Sequence, residues 1–247
     1  MAREPTIGVD IGGTGIKAGT VDLGSGSLIG ERTKVDTPHP ATPAAVVDVV
    51  RTVLDSIGSD GAVGITMPSV VRRGVVLTAS NIDAAWIGTD AVALFGSATG
   101  RTVGVVNDAD AAGMAEVTYG AGKGRQGVVI LVTLGTGIGT GVFFDGTLVP
   151  NSELGHLPLH GGDAEEWAAE SARDRDDLSW KTWAKRVSAY LRLVESLLWP
   201  DLLIIGGGVS RRGDKFIPLL TCETPVVAAT LHNDAGIVGA AMVAPDT

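Results

Sequence analysis

Asn107-Asp108 stands where an apolar run, Thr102–Val106, meets the alanine-rich stretch Ala109–Val117. An aspartate at a strand tip can accept a proton from an alcohol, and phosphoryl transfer to a hydroxyl needs one such oriented carboxylate. Asp108 could also simply cap a following helix, and the two roles are compatible. A second feature is a repeat. Gly12-Gly13-Thr14-Gly15-Ile16 returns in part as Gly135-Thr136-Gly137-Ile138, an offset of 122 residues (135 − 13) that also carries Gly19 onto Gly141 and Gly24 onto Gly146. Turns without Cβ atoms present backbone N–H groups in a small arc, and such arcs hold anions. Thr14, Thr136 and Thr133 can add hydroxyls, and Lys17 a positive charge. Two such turns can grip a phosphoryl chain, whereas either alone could be an ordinary tight hairpin. Asp10, just before the first turn, suits Mg²⁺ held directly or through water. Asn151, Glu153 and His156 in NSELGHLPL suit the hydroxyls of a sugar. The same loop could be merely solvated, and a metal there would have only His160 as an extra ligand.

The elements that carry these residues follow from periodicity. Thr6–Ile11, Ile16–Val21 and Leu28–Lys34 read as strands, so the first glycine turn joins strand to strand. That excludes a dinucleotide-binding fingerprint, in which the turn opens a helix. Thr42-Pro43 starts a helix with Val46, Val47, Val49, Val50, Val53, Leu54 and Ile57 on a broad apolar face. Ala62–Thr66 and Thr102–Val106 are strands, and Ala109–Val117 is a helix. Gly127–Thr133, Thr140–Phe144 and Thr147–Val149 repeat the opening strands around a turn at Gly135–Gly139. Helices are expected over Asp163–Ala172, Ser179–Trp199 and Ala235–Val243, with a strand at Leu202–Ile205 running into Gly206-Gly207-Gly208. The pattern is β-β-β-α-β-α, roughly twice. It predicts an α/β protein of two related lobes, residues 1–107 and 108–234, with the C-terminal helix (about 235–247) packing back on the first.

The 247 residues are 45% hydrophobic and 19% charged, enough for substantial cores. A net charge of −9 argues against nucleic acid as partner. The single cysteine, Cys222, excludes an internal disulfide and points to the cytoplasm. MAREPTIGVD lacks a signal-type apolar region, and no run is long enough to span a membrane.

Together DIGGTGIKAG, VVNDADAAGMAE, LVTLGTGIGTG, NSELGHLPL and LIIGGGVS resemble the ROK family of sugar kinases, within the actin/hexokinase superfamily. The resemblance implies two RNase-H-like lobes around a central cleft and Asp108 as general base. It places Asn107, Asp108, Glu153 and His156 around glucose, with Asn81 and Asp83 of SNIDAAWIG on another sugar-facing loop. It also puts polyphosphate or nucleotide near Gly206, Gly207 and Gly208. Most of the family carries a cysteine-rich zinc cluster after the histidine motif. LPLHGGDAEEWAAESAR contains no cysteine, so structural zinc is not expected and His156 is left to the sugar. Glu165 stands where the family has a sugar-binding glutamate, with Glu166 one residue away as the alternative.

The zinc-free sequence and its tail resemble the actinobacterial branch of the family that uses inorganic polyphosphate. That implies glucose 6-phosphorylation, with mannose as an alternative acceptor and ATP as an alternative donor. A homodimer is usual in the family, and the apolar face of the 179–199 helix is compatible with one. An ATP-only glucokinase, an N-acylhexosamine kinase and a non-catalytic sugar sensor are the rival readings. Cations that could lead a polyanion away from the turns are Lys123, Arg125, Lys181, Lys185, Arg186, Arg211, Arg212 and Lys215. Lys181 and Lys185 share a helix face. The ordinary account is that these are solvated charges opposing Asp174, Asp176 and Asp177.

Overall fold

The structure is a computed structural model that describes residues 5–58 and 61–246. The chain divides into two compact units, Met1–Ala115 with Asp234–Thr247, and Glu116–Asn233.

In the first unit, β1 (Thr6–Ile11), β2 (Gly15–Asp22) and β3 (Ser27–Asp36) form an antiparallel meander, and β4 (Val63–Met67) and β7 (Val103–Asn107) add to it in parallel. The sheet order is β3-β2-β1-β4-β7. Between β4 and β7 lie a small hairpin, β5 (Val71–Arg72) and β6 (Val75–Val76), a 3₁₀ turn at Ala84–Trp86, and α2 (Ala91–Thr99). Strand alternation sorts the faces. Ile7, Val9 and Ile11 are fully buried in the core with Val46, Val50 and Leu54 of α1 (Pro43–Ile57). Thr42 caps α1, its hydroxyl accepting from Ala45 N–H, and Gly58 ends it in the left-handed conformation. On the opposite face, Gly8, Gly64 and Gly104 pair across three neighbouring strands. A Cβ at any of them would overlap backbone oxygens of Ile237, Ala240 or Val243, so the glycine row is the bed of α7 (Ala235–Met242).

The sequence placed the boundary between lobes at Asn107. The unit instead extends through Ala115. The reason is packing: α3 (Asp108–Thr118) lies against α7 so closely that a Cβ on Gly239 would strike the Ala111 carbonyl. No element was expected over residues 91–99. There α2 is capped by Asp90, ended by Gly100 at φ 68, and held by Phe95 stacking on Trp86 at 5.7 Å.

The second unit repeats the topology. Its sheet order is β10-β9-β8-β13-β14, from β8 (Val128–Leu134), β9 (Ile138–Phe144), β10 (Thr147–Val149), β13 (Leu202–Gly206) and β14 (Val226–Ala228). A minor hairpin pairs β11 (Pro158–Leu159) with β12 (Gly162–Asp163). The single helix expected over 163–172 is two, α4 (Ala164–Ala168) and α5 (Glu170–Arg175), because Ala169 is extended at ψ 162. The Trp183 indole stabilises this break by donating to the Ala168 and Ala169 carbonyls at 3.0 and 3.1 Å.

Ser179 caps α6 (Trp180–Leu198). Its apolar face, Trp183, Val187, Tyr190, Leu191 and Val194, is wholly buried with β8 and β13 in the unit's own core. That face is therefore not available to a second copy. The exposed apolar residues of this element are at its end: Leu197, Leu198 and Trp199. Among the described residues no helix is long and apolar enough to cross a membrane.

Candidate active site

In the first unit the chemistry-bearing residues gather at the carboxyl ends of three parallel strands. Asp10, on the glycine face of β1, lies opposite Lys17 in the β2 register and beside Thr66 in that of β4. Lys17 Nζ donates to Asp10 Oδ2 at 2.9 Å, and Thr66 Oγ1 donates to Oδ1 at 2.9 Å. Lys17 is thus tied to Asp10 by one donor rather than standing over the turn alone. Each Asp10 oxygen keeps a spare lone pair. Gly236 passes so near that its Cβ would lie 2.6 Å from Asp10 Cγ. The turn beyond β1 is pinned by its carbonyls: Thr37 Oγ1 donates to Gly12 O at 2.6 Å and Thr37 N to Thr14 O at 3.5 Å. Gly12 N–H donates to Gly15 O. The N–H groups of Gly13 and Thr14 meet no protein acceptor among the described residues.

At the end of β7, Asn107 caps α3. Its Oδ1 accepts from the N–H groups of Ala109 and Asp110 at 2.8 and 3.0 Å, and its Nδ2 donates to Ser69 O at 3.1 Å. That leaves one amide N–H for any sugar. Capping therefore falls to Asn107, whereas Asp108, half-buried in the first turn of α3, accepts from the adjacent Ala109 N–H at 2.8 Å. Asp83 Oδ1 caps the 84–86 turn through Ala85 N–H, and the Asn81 carbonyl lies 3.4 Å from where a Gly13 Cβ would be. Sequence reasoning missed Thr66 and Ser69. The Ser69 hydroxyl is buried without a partner among the described residues, beside the Asn107 amide. The signal for Thr66 was its place at a strand end paired with Asp10.

In the second unit the turn is Gly135–Gly137. Ile138, which the sequence counted within it, already pairs in β9. Ser171 at the start of α5 holds the turn's carbonyls, its N–H on Gly135 O at 3.0 Å and its hydroxyl on Thr136 O at 2.6 Å. The N–H groups of Thr136 and Gly137 meet no acceptor among the described residues. Gly207, at φ 79, sits against the Leu134 carbonyl, which brings the Gly206–Gly208 turn alongside the Gly135 turn. Thr133 Oγ1 is turned back onto Gly139 O at 3.3 Å.

Glu165 Oε2 accepts Ile138 N–H at 3.0 Å, and its Oε1 lies 3.9 Å from His156 Nδ1. Glu166 instead approaches Gly162. Glu165, not Glu166, therefore joins the group. His156 Nδ1 bonds Asp163 at 2.8 Å, and its Nε2 lies 3.6 Å from Glu153. Asp163 was not foreseen; the hairpin that carries it faces His156 back across β11 and β12. The Asp163 hydrogen bond, joined by Glu165 and Glu153, raises the His156 pKa against partial burial. Burial, with Glu165 adding and His156 opposing, raises that of Glu153. Burial foremost, then Glu165, lifts the Tyr190 phenol well above its usual value. The result is an imidazole whose protonated form is favoured by three neighbouring carboxylates, a group suited to donating to and accepting from a polyol.

Two repeated β-β-β-α-β units, each with a glycine turn at its sheet's end, define a member of the actin/hexokinase-like sugar kinases. Residues 6–169 match the ROK family, and the chain belongs to that family. Polyphosphate glucokinase of Mycobacterium tuberculosis is 53% identical over 236 residues, 95% of this chain and 89% of that one. The solved inorganic polyphosphate/ATP-glucomannokinase from Arthrobacter sp. strain KM superposes with a TM-score of 0.94 at 50% identity, covering 97% of this chain and 98% of that one. A ROK family glucokinase from Streptomyces griseus, solved with glucose and AMPPNP, gives 0.84 at 30% identity over 97% and 99% of the two chains.

Proposed function

We propose that the protein phosphorylates glucose at its 6-hydroxyl with inorganic polyphosphate as donor and ATP as an alternative. The observation that carries this reading is the pair of turns whose carbonyls are pinned by Thr37 and Ser171 while the N–H groups of Gly13, Thr14, Thr136 and Gly137 meet no acceptor among the described residues. Oriented N–H groups of this kind stabilise phosphoryl oxygens as charge develops on them. The names of the relatives about 50% identical over nearly the whole chain support polyphosphate as donor. Asp108 takes the proton from the 6-hydroxyl as that oxygen attacks the terminal phosphorus. The phosphorus–oxygen bond to the next phosphate breaks, the shortened polyphosphate leaves with the electron pair, and Asp108 releases its proton to solvent.

Glu153, His156 and Glu165 hold the sugar hydroxyls, with Asn81 as a further contact. Asn107 sets the start of α3 and offers one N–H. Asp83, committed to its cap, positions its loop. The spare lone pairs on Asp10 fit Mg²⁺ held through water. Among the described residues no three His, Cys, Asp or Glu side chains converge as a metal cage. Such a cation neutralises phosphoryl charge when bound. A cytoplasmic setting accords with this chemistry. A homodimer would have to use surface other than the buried face of α6, and light scattering tests it.

The deciding experiment measures steady-state rates for glucose, mannose and N-acetylmannosamine, each with ATP or polyphosphate. Transfer from polyphosphate to glucose is expected. Activity with ATP alone would refute the donor, preference for N-acetylmannosamine the acceptor, and no transfer at all would leave a sugar sensor. Asp108→Ala should lower turnover at least ~10²-fold with the fold retained; near-normal turnover would remove it as base.

A further inference from the structure

One flank of the second unit carries cations that the reacting groups do not use. The line begins at the Gly135 turn. Ser171 is bonded to it, and the neighbouring Glu170 is faced by both Arg173 and Arg212. Arg173 Cζ lies 3.9 Å over the Trp180 ring, and Lys215 Nζ lies 5.8 Å from the same ring. From Trp180 the line continues along α6. Residues 181, 185, 188 and 192 form one stripe of that helix. Ser188 Oγ accepts Thr221 N–H at 3.1 Å and Arg192 donates to Thr221 Oγ1 at 2.9 Å, so the segment after Lys215 runs along this stripe. Lys181 and Lys185 sit at its Trp180 end, exposed, and neither forms an ion pair among the described residues.

The ordinary account of these charges holds for three of the arginines. Arg186 pairs with Asp176 at 2.7 Å and Arg175 with the same carboxylate at 2.9 Å. Arg173 meets Asp174 at 2.7 Å, and Asp214 is the acid within the 208–215 segment. Among the described residues Lys181, Lys185 and Lys215 have no such ion-pair partner, in a chain whose net charge is −9. A folded acidic protein does not gain from three cations aligned without counter-charges. A polyanion laid along them would release counterions and bind in a salt-dependent way.

We infer that this flank, from Arg173 and Arg212 past Trp180 to Lys215, Lys181 and Lys185, is the path on which the distal phosphates of a polyphosphate donor lie. The inference rests on the donor assignment above and deepens it. It predicts selection by chain length. ATP ends in an uncharged nucleoside beyond its third phosphate and has nothing to place on the lysines.

The test is the triple variant Lys181→Ala, Lys185→Ala, Lys215→Ala beside the unaltered protein. KM and kcat are measured with long-chain polyphosphate, tripolyphosphate and ATP at several ionic strengths, and long-chain polyphosphate binding by titration calorimetry. Loss of three cation contacts should raise KM for the long chain about 10-fold and flatten its salt dependence, with ATP changed less than about 2-fold. Equal changes for all donors, or none for the long chain, overturn the path, as does failure of the unaltered protein to bind long polyphosphate. Lysine-dependent binding without any transfer leaves the path standing and refutes polyphosphate as donor. An unchanged thermal midpoint separates these effects from unfolding.

Discussion

Gly135→Ala separates the fold's demand for glycine from the ligand's. A Cβ at Gly137 would strike the Glu165 carboxylate, and one at Gly207 the Leu134 carbonyl. A Cβ at Gly135 meets nothing within 4 Å, and the residue's φ is outside the left-handed region. The fold alone would accept alanine there, and the stiffer unfolded chain should leave stability unchanged or raised by up to about 1 kcal/mol. If the space beside Gly135 is kept for a phosphoryl group, the methyl displaces that group from the adjacent N–H donors. Losing one hydrogen bond to a charged acceptor costs about 1.5–3 kcal/mol, which is about 10- to 150-fold in kcat/KM for the donor. The KM for glucose should move far less. The assay couples glucose 6-phosphate formation to a dehydrogenase, with calorimetric unfolding on the same preparations. A variant with full stability and donor kcat/KM within about 3-fold of the parent would show that the turn holds no phosphate. Gly137→Ala is the contrast: its methyl must move the Glu165 carboxylate off Ile138 N–H, so the KM for glucose should change as well.

Two further outcomes are expected. Gly64→Ala forces a methyl into the Ala240 carbonyl and must lift α7 off its bed; overpacking of this kind costs about 3 kcal/mol, or roughly 6–12 °C in Tm for a chain this long, and an unshifted Tm would refute the packing argument. Asp163→Asn removes the leading cause of the raised His156 pKa, so its NMR titration should fall toward the ordinary histidine value, and an unmoved titration would dismiss Asp163 as its partner. Because the folded value is raised, the cation's stabilising contribution is complete below the unfolded histidine pKa and is lost as pH climbs through the folded value. The variant should lose part of that pH dependence, Glu165 and Glu153 still favouring the protonated ring.

Local chemistry made most of the strands readable. Thr6–Ile11 and Leu202–Ile205 are apolar runs that end at glycines, and Thr42-Pro43 and Ser179 are helix starts whose caps the structure contains. Where long-range contacts set the backbone, the sequence was silent. The 163–172 stretch has unbroken helical character, and only the Trp183 indole, distant in sequence, explains why it stops at Ala169. α2 escaped notice because its apolar face is short and leans on Trp86. The candidate site divides in the same way. Asp10, Asp108, Glu153 and His156 stood out as polar residues at element ends, whereas Thr66, Ser69, Asp163 and Ser171 matter through the residues the sheets bring beside them. The long apolar stripe of α6 looked like a surface for another copy because a sequence cannot say which buried stripe meets its own sheet.

The repeat itself is less symmetrical than GTGI suggests. In the first unit Ile11 pairs with Ile16, whereas in the second Leu134 pairs with Ile138, so the first turn holds one more residue. That residue shifts what stands across the hairpin. Asp10 faces Lys17 in the first unit, and the matching rung of the second is Thr133 facing Gly139. One unit therefore keeps an ion pair beside its turn. The other has no charge on that rung and instead receives Glu165 on Ile138 N–H and Ser171 on the turn's carbonyls. A braced turn of this kind suits an anion, which would meet the N–H groups of Thr136 and Gly137. A turn beside a paired aspartate suits a cation's waters and the group being transferred. The same backbone, built twice and offset by one residue, thus yields two turns of different electrostatic character.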